Sequence, residues 1–390
     1  MIKKTVGTSG GVKILKFVLT CAGFWPRNVP YKWLSVLYGI YSNIILIFIM
    51  FLYQMSMLIE IFHIENVVEA TNNLCMTLTL MTLFGKILNF KYFLGNIQSL
   101  LYFGEEFELE NDEEVAVVQQ NLTFYTRLVQ FLLITANIAG PSNYVGAFLA
   151  GDFKLPYLAW YPFDYKSSNT LYAGIYFYQS IGMFLQSNLN VTMDLFSAYM
   201  MHIGSLKLQI VGRRLKKLSE FTMQGQLNLA MDGKANKRHI SSLVRCIESY
   251  QRTWKYMNQL QQYFTYGFLI QIGLSGIVIC FTAYQLTTTS PRESFALYSY
   301  MVLFGFCMVA QMSLPCYFGN EIILRHEALS ISAYSSGWNV QSMEYRKIVI
   351  IFMELVKKRH GILVGNWFDL DLDVFTSVIN FAYRLYAVLV

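Results

Sequence analysis

Charge is scarce in this chain. Of 390 residues, 14% are Asp, Glu, Lys or Arg, while 55% are hydrophobic and 16% aromatic. A soluble globular chain carries roughly a quarter charged residues, so an ordinary soluble fold is a poor match. Signatures of catalysis are missing too. The five histidines, His63, His202, His239, His326 and His360, are scattered, with no H-E-x-x-H and no Cys/His cluster at zinc spacing. There is no G-x-S-x-G, no Walker lysine and no G-x-G-x-x-G. Asp369, Asp371 and Asp373 alternate with leucines, but on a helix they would splay around the axis. Acids at a helix start serve the macrodipole and the cap instead. No enzyme activity, metal or cofactor is therefore expected. The six cysteines predict no disulfide framework, and neither an internal repeat nor a low-complexity tract is visible.

Long uncharged runs are abundant. Leu34 to Ile59, Leu128 to Gly151, Ser167 to Met193, Tyr263 to Pro291 and Ser294 to Asn320 hold no charge. Each exceeds the ~20 residues that an α-helix needs to cross a bilayer core of ~30 Å. Two further segments are undecided on hydropathy: Ala70 to Gly85, closed by Lys86, and Val374 to Val390, which contains Arg384. If all seven span, the segments on one side hold 6, 3, 11 and 6 Lys/Arg, against 0, 2 and 1 on the other. The positive-inside rule puts the rich side in the cytoplasm. Deleting the second span would put the eleven-positive 4–5 loop opposite the six-positive N-tail, so parity requires that span. The seventh has nothing after it and is only suggested. The expectation is an all-α membrane protein of seven transmembrane helices, with the N-terminus cytoplasmic, the C-terminus extracellular and helical cytoplasmic extensions. The net charge of +6 reads as topology and implies no nucleic acid.

Four regions follow: an N-tail over 1–33, spans one to six over 34–320, a cytoplasmic inter-subunit region over 321–369 and a seventh span over 370–390. Ile14 to Phe24 is interrupted by Trp25-Pro26 and followed by no A-x-A site, which favours an interfacial helix over a signal peptide. Glu105 to Glu114, with seven acids, reads as a solvated turn. Ile348 to Met353 is apolar all round and too short to span. It predicts either a buried cytoplasmic bundle shared between subunits or a helix lying on the membrane. Asn121-Leu122-Thr123 is a sequon that this topology leaves unmodified.

Polar residues within spans are the remaining candidates for function. Asp194 sits where it can reach headgroups. In the last segment Ser377, Asn380, Arg384, Ala387 and Val388 share one stripe, while Phe375, Val378, Ala382 and Leu385 occupy the other side. Such a stripe faces a lumen or a partner helix, and a pore built this way needs several chains. The outer halves of the spans are aromatic. Tyr144, Phe148, Tyr172, Tyr176, Gln179, Ser180, Met183, Phe184, Tyr298, Met301 and Phe304 could together line an apolar cavity with a few hydrogen-bonding groups. Taken singly, each could equally be part of an interfacial aromatic belt.

In four stretches the chain resembles the insect odorant receptors: Gly23-Phe24-Trp25-Pro26; Pro156 with Trp160-Tyr161-Pro162-Phe163-Asp164; Tyr172, Tyr176 and Gln179; and Phe375 to Leu389. The resemblance implies an odorant-binding subunit of a nonselective cation channel of four subunits, assembled with a common coreceptor. It places a small apolar odorant among spans two, three, four and six, and the pore and gate at Ser377, Asn380, Arg384 and Val388. It also implies a plasma membrane, that of a sensory neuron dendrite. The coreceptor closes with V-L-V-Q-L-K whereas this chain stops at Val388-Leu389-Val390, and its 4–5 loop is shorter, so a tuning subunit is implied. One departure is Ala382-Tyr383-Arg384 where the family often has Ala-Tyr-Ser; the arginine would face the pathway or snorkel outward. A gustatory-type receptor channel is the alternative, although its T-Y-x-x-x-x-x-Q-F signature is absent. A G-protein-coupled chemoreceptor would need the opposite orientation.

Overall fold

The computed structural model describes residues 9–26, 31–150, 155–225, 233–289, 295–358 and 360–389. A short helix, α1 (Gly10–Cys21), leads into α2 (Lys32–Ile61), which is π-helical over Ile45–Leu52. Helices α3 (Val67–Tyr92), α4 (Leu94–Glu105) and α5 (Asp112–Ala150) follow. Two very long helices come next, α6 (Asn169–Gly225) and α7 (Gly233–Thr288), and then α8 (Phe295–Tyr334) and α9 (Met343–Lys357). A two-stranded antiparallel hairpin, β1 (Leu363–Val364) with β2 (Phe368–Asp369), precedes α10 (Leu372–Leu389).

Among the described residues, five helical segments are long and apolar enough to cross a membrane: Lys32–Ile61, Val67–Tyr92, Asp112–Pro141, Asn236–Thr288 and Leu297–Val340. They include the second span, which the uncharged-run criterion left undecided. The α6 segment over Ser167 to Met193 is not among them, although it lacks charge. It carries three buried polar side chains, Gln179 against the loop before α6 and Gln186 and Asn190 against other helices. At 57 residues α6 is roughly 85 Å long, far beyond a bilayer core. It packs along α8, α7 and α5, while α3 packs on α7 and α10 lies against α7 and α8.

The π-helical stretch of α2 has a visible use. An i→i+5 ladder displaces backbone carbonyls from their usual partners, and α6 bonds two of them. The Tyr178 hydroxyl donates to the Phe48 carbonyl, and Gln186 Nε2 donates to the Ile49 carbonyl at 3.0 Å.

Three segments singled out in the sequence lie at the basic end of the bundle. Helix α1 buries Val12, Leu15 and Leu19 and packs on α5 and α6, with Gly11 N donating to Thr126 Oγ1 at 3.0 Å. The acidic segment is not merely solvated: Glu114 accepts from Arg214 at 2.7 and 2.8 Å, and Glu108 from Arg252 at 2.6 Å. The run over Ile348 to Met353 is two-faced. Val349 and Phe352 are buried against α8 and α7, while Ile350 and Ile351 are exposed. On α8, His326 meets the Tyr250 hydroxyl at 3.0 Å.

The hairpin seats α10. Gly365 and Asn366 take positive φ in its turn (58° and 64°). Thr265 of α7 clamps it, donating to the Leu363 carbonyl at 2.9 Å and accepting from Gly365 N at 2.8 Å. Asp371 then caps α10, accepting from the backbone N–H of Asp373 and of Val374 at 3.1 Å.

Candidate functional site

Between α3, α5, α6 and α8 lies a cavity of about 60 Å³, room for roughly four to six water-sized groups. Its walls are mostly apolar: Met76 and Leu80 from α3, Ala136, Ala139 and Gly140 from α5, Met183 and Val191 from α6, Phe304, Cys307 and Met308 from α8. Small residues on α5 make the space, because alanine and glycine leave room where larger side chains would fill the gap between helices.

The roof is aromatic. The Tyr157 and Tyr300 hydroxyls meet at 3.3 Å, and Tyr300 donates to Met76 Sδ at 3.4 Å. Tyr157 comes from the segment between α5 and α6, and that segment is pinned. Gln179 clamps the Tyr157 backbone on both sides, accepting from its N–H at 3.2 Å and donating to its carbonyl at 3.0 Å. Asn73 Nδ2 donates to the Leu158 carbonyl at 3.0 Å, and Trp160 N to the Ser56 carbonyl at 3.0 Å. Lid and bundle are thus tied by backbone bonds.

The floor is polar. Asn190 Nδ2 donates to Gln311 Oε1 at 3.0 Å, and both side chains line the cavity. Behind them Lys86 Nζ donates to Asn190 Oδ1 at 3.3 Å and to Asp194 Oδ1 at 2.6 Å. Gln271 of α7 donates to the Gln311 carbonyl at 3.1 Å. Asp194 is 2% exposed, so it pairs with Lys86 inside the bundle and does not reach headgroups as expected. A second cavity of about 30 Å³ lies on the far side, lined by Lys86, Asp194 and Gln271 with Phe264 and Phe268 of α7. The polar cluster therefore separates the two cavities.

Of the residues picked from the sequence, Tyr144, Met183 and Phe304 line the cavity. Gln179 and Tyr176 stand one layer above it. Gln179 holds the lid, and the Tyr176 hydroxyl donates to the Tyr144 carbonyl at 2.6 Å. Met301 is buried in the same outer cluster as Tyr300 and Met183. Tyr172, Ser180 and Tyr298 are half-buried away from the lining. Phe184 is 45% exposed on the outer surface of α6. Adjacent helical residues differ by about 100°, so Phe184 cannot share the inward face with Met183. The side chain of Phe148 lies outside the described residues. On α10, Ser377, Asn380, Arg384 and Val388 are exposed, whereas Ala382 is buried and Phe375, Val378 and Leu385 are partly covered.

Sequence reasoning did not single out Gln186, Asn190, Gln311, Tyr157 or Tyr300. A signal for the α6 residues was available. Gln179, Met183, Gln186 and Asn190 recur at three- and four-residue spacing, a polar stripe on one face of a span. Nothing comparable marks Tyr157, which reaches the site only through the folding of its loop.

The chain has clear relatives. A family model described as 7tm odorant receptor matches residues 66–383. Odorant receptor 94a of Drosophila melanogaster is 27% identical over 388 residues, covering 97% of this chain and 96% of its own. Odorant receptor Or1 of Anopheles gambiae is 23% identical over 387 residues, covering 94% and 92%. Among solved structures, the insect olfactory receptor OR5 from Machilis hrabei superposes with a TM-score of 0.79 at 18% identity over 97% of both chains. The same receptor in complex with eugenol superposes with a TM-score of 0.78. With its fold superposing on that receptor and the family model matched over most of its length, the chain belongs to the seven-transmembrane odorant receptor family.

Proposed function

We propose that this chain is the odorant-binding subunit of a heteromeric ligand-gated nonselective cation channel. It assembles with a coreceptor subunit in the plasma membrane of a sensory dendrite, with its N-terminus inside and its C-terminus outside. The observation that carries this reading is the roofed, mostly apolar cavity between α3, α5, α6 and α8. Its chemistry suits a small volatile molecule, which needs apolar walls and a few fixed hydrogen-bonding groups. The eugenol complex of the Machilis hrabei receptor supports a ligand of this kind.

The route to a pore also has a physical basis. The cavity floor reaches α7 through the Gln271–Gln311 bond. One turn further along α7, Gly276 packs against α10, where an added Cβ would come within 2.8 Å of the Phe381 ring. A ligand that repositions α6 against α8 therefore acts on helices that carry α10 directly. The exposed stripe Ser377, Asn380, Arg384 and Val388 is the pore-facing side in this reading, and the exposed face of α9 around Ile350 and Ile351 meets a neighbouring subunit.

The test is current recorded from cells expressing the chain with and without an insect odorant coreceptor, across a panel of small volatiles. Ligand-evoked cation current is expected only in the co-expressing cells. Robust current from this chain alone, or responses that vanish when G proteins are blocked, would overturn the proposal.

A further inference from the structure

Among the described residues, two polar atoms on side chains that line the cavity have no partner, the Tyr144 hydroxyl and Gln186 Oε1, and of the two only Gln186 Oε1 is purely an acceptor. Gln186 lines the cavity and is fully buried. Its amide has a defined orientation, because Nε2 donates to the Ile49 carbonyl at 3.0 Å and a carbonyl oxygen can only accept. Oε1 is thereby committed to the other side, and no donor among the described residues reaches it. The cause lies in α2: its π-helical stretch presents the Ile49 carbonyl to α6 and takes up the donor half of this amide.

A buried acceptor without a donor has lost its water and gained nothing. Pairing it changes an affinity by about five- to a hundredfold. Resting on the reading of this cavity as the odorant site, we propose that its preferred ligands are small molecules bearing a hydroxyl group, alcohols or phenols, whose O–H donates to Gln186 Oε1. A ketone, ester or ether of the same size brings only acceptors and leaves Oε1 unpaired. A hydrocarbon brings neither. An amine carries a donor but is protonated at neutral pH, and the nearest carboxylate, Asp194, is already paired with Lys86 at 2.6 Å. The unpaired Tyr144 hydroxyl can donate to a ligand hydroxyl and to a carbonyl alike, so the purely accepting Gln186 Oε1 sets the discrimination.

The experiment uses three compounds with the same number of non-hydrogen atoms: cyclopentanol, cyclopentanone and methylcyclopentane. Apparent affinities are read from the concentration dependence of the Tm of the purified full-length chain, and currents of the co-expressed channel are recorded separately. Cyclopentanol is expected to bind at least about tenfold more tightly than either analogue. Gln186→Met, which keeps the side-chain length, is expected to bring the three together. Equal stabilisation by all three, stabilisation by none, or a ranking that survives Gln186→Met overturns the inference. Should Gln186→Met not fold, the wild-type ranking alone decides. Selective binding of cyclopentanol with no current in co-expressing cells would leave this inference standing and count against the channel reading instead.

Discussion

Lys86 and Asp194 bring one charge of each sign into a region with few of either. Separately, each would be close to intolerable in a membrane-spanning helix, since an isolated buried charge costs several kcal/mol. Together at 2.6 Å, with Asn190 completing the ammonium's contacts, they are stable and hold α3 to α6. Removing one partner leaves the other uncompensated, so Lys86→Met should cost on the order of 3–5 kcal/mol. The readout is the Tm of the purified chain. The double variant Lys86→Met with Asp194→Leu should recover most of that loss, and a Tm unchanged by Lys86→Met would sink this account. The pairing was not legible in the sequence. Asp194 stood out as a polar residue at a span end, and Lys86 only as the charge closing a short apolar run. Their 108-residue separation leaves no local pattern to join them. The aromatic residues illustrate the same limit: Met183 and Phe184 are neighbours in sequence, but only Met183 faces the cavity.

The helices differ in how far the sequence describes them. Polar residues lower the hydropathy of α6, and they sit on its protein-facing side; Gln179, Gln186 and Asn190 bond the lid, α2 and α8. The stripe on α10 was legible, since ten residues of uninterrupted helical phase are enough to separate Ser377, Asn380 and Arg384 from Phe375, Val378 and Ala382. What seats α10 was not. At Gly319 of α8, an added Cβ would overlap the Leu370 carbonyl oxygen, just ahead of α10. Backbone cannot swing aside as a side-chain tip can. Gly319→Ala should therefore destabilise the protein by about 1–3 kcal/mol, measured by thermal denaturation, and in co-expressed channels should shift the gating equilibrium. Gly104→Ala, whose Cβ would meet only the Tyr256 ring, at 2.8 Å, is a milder control. Equal effects from the two would argue against a backbone clash as the cause.

For the whole molecule, charge placement sets the expected orientation. Of the Lys and Arg outside the last span, 26 fall on one side and 3 on the other, and the basic side carries the long extensions of α6 and α7. Cysteine labelling tests this directly. In intact cells Lys166→Cys, exposed between α5 and α6, should react with a membrane-impermeant maleimide, while Glu344→Cys at the start of α9 should react only after permeabilisation. The reverse pattern would invert the topology and remove the main distinction from G-protein-coupled receptors.

The sequence by itself determined that the chain is a bundle of membrane-spanning helices, and it set the expectation for their direction. Hydropathy and charge asymmetry are sums over many residues, and the membrane responds to those sums without needing any particular contact. Tertiary structure decided the cavity: which aromatics face inward, how the Tyr157 lid is clamped, and which acceptor is left without a donor. Those features depend on single atoms brought together from four helices and a loop. A shift of one residue in helical phase, about 100°, would change every one of them while leaving the hydropathy profile the same.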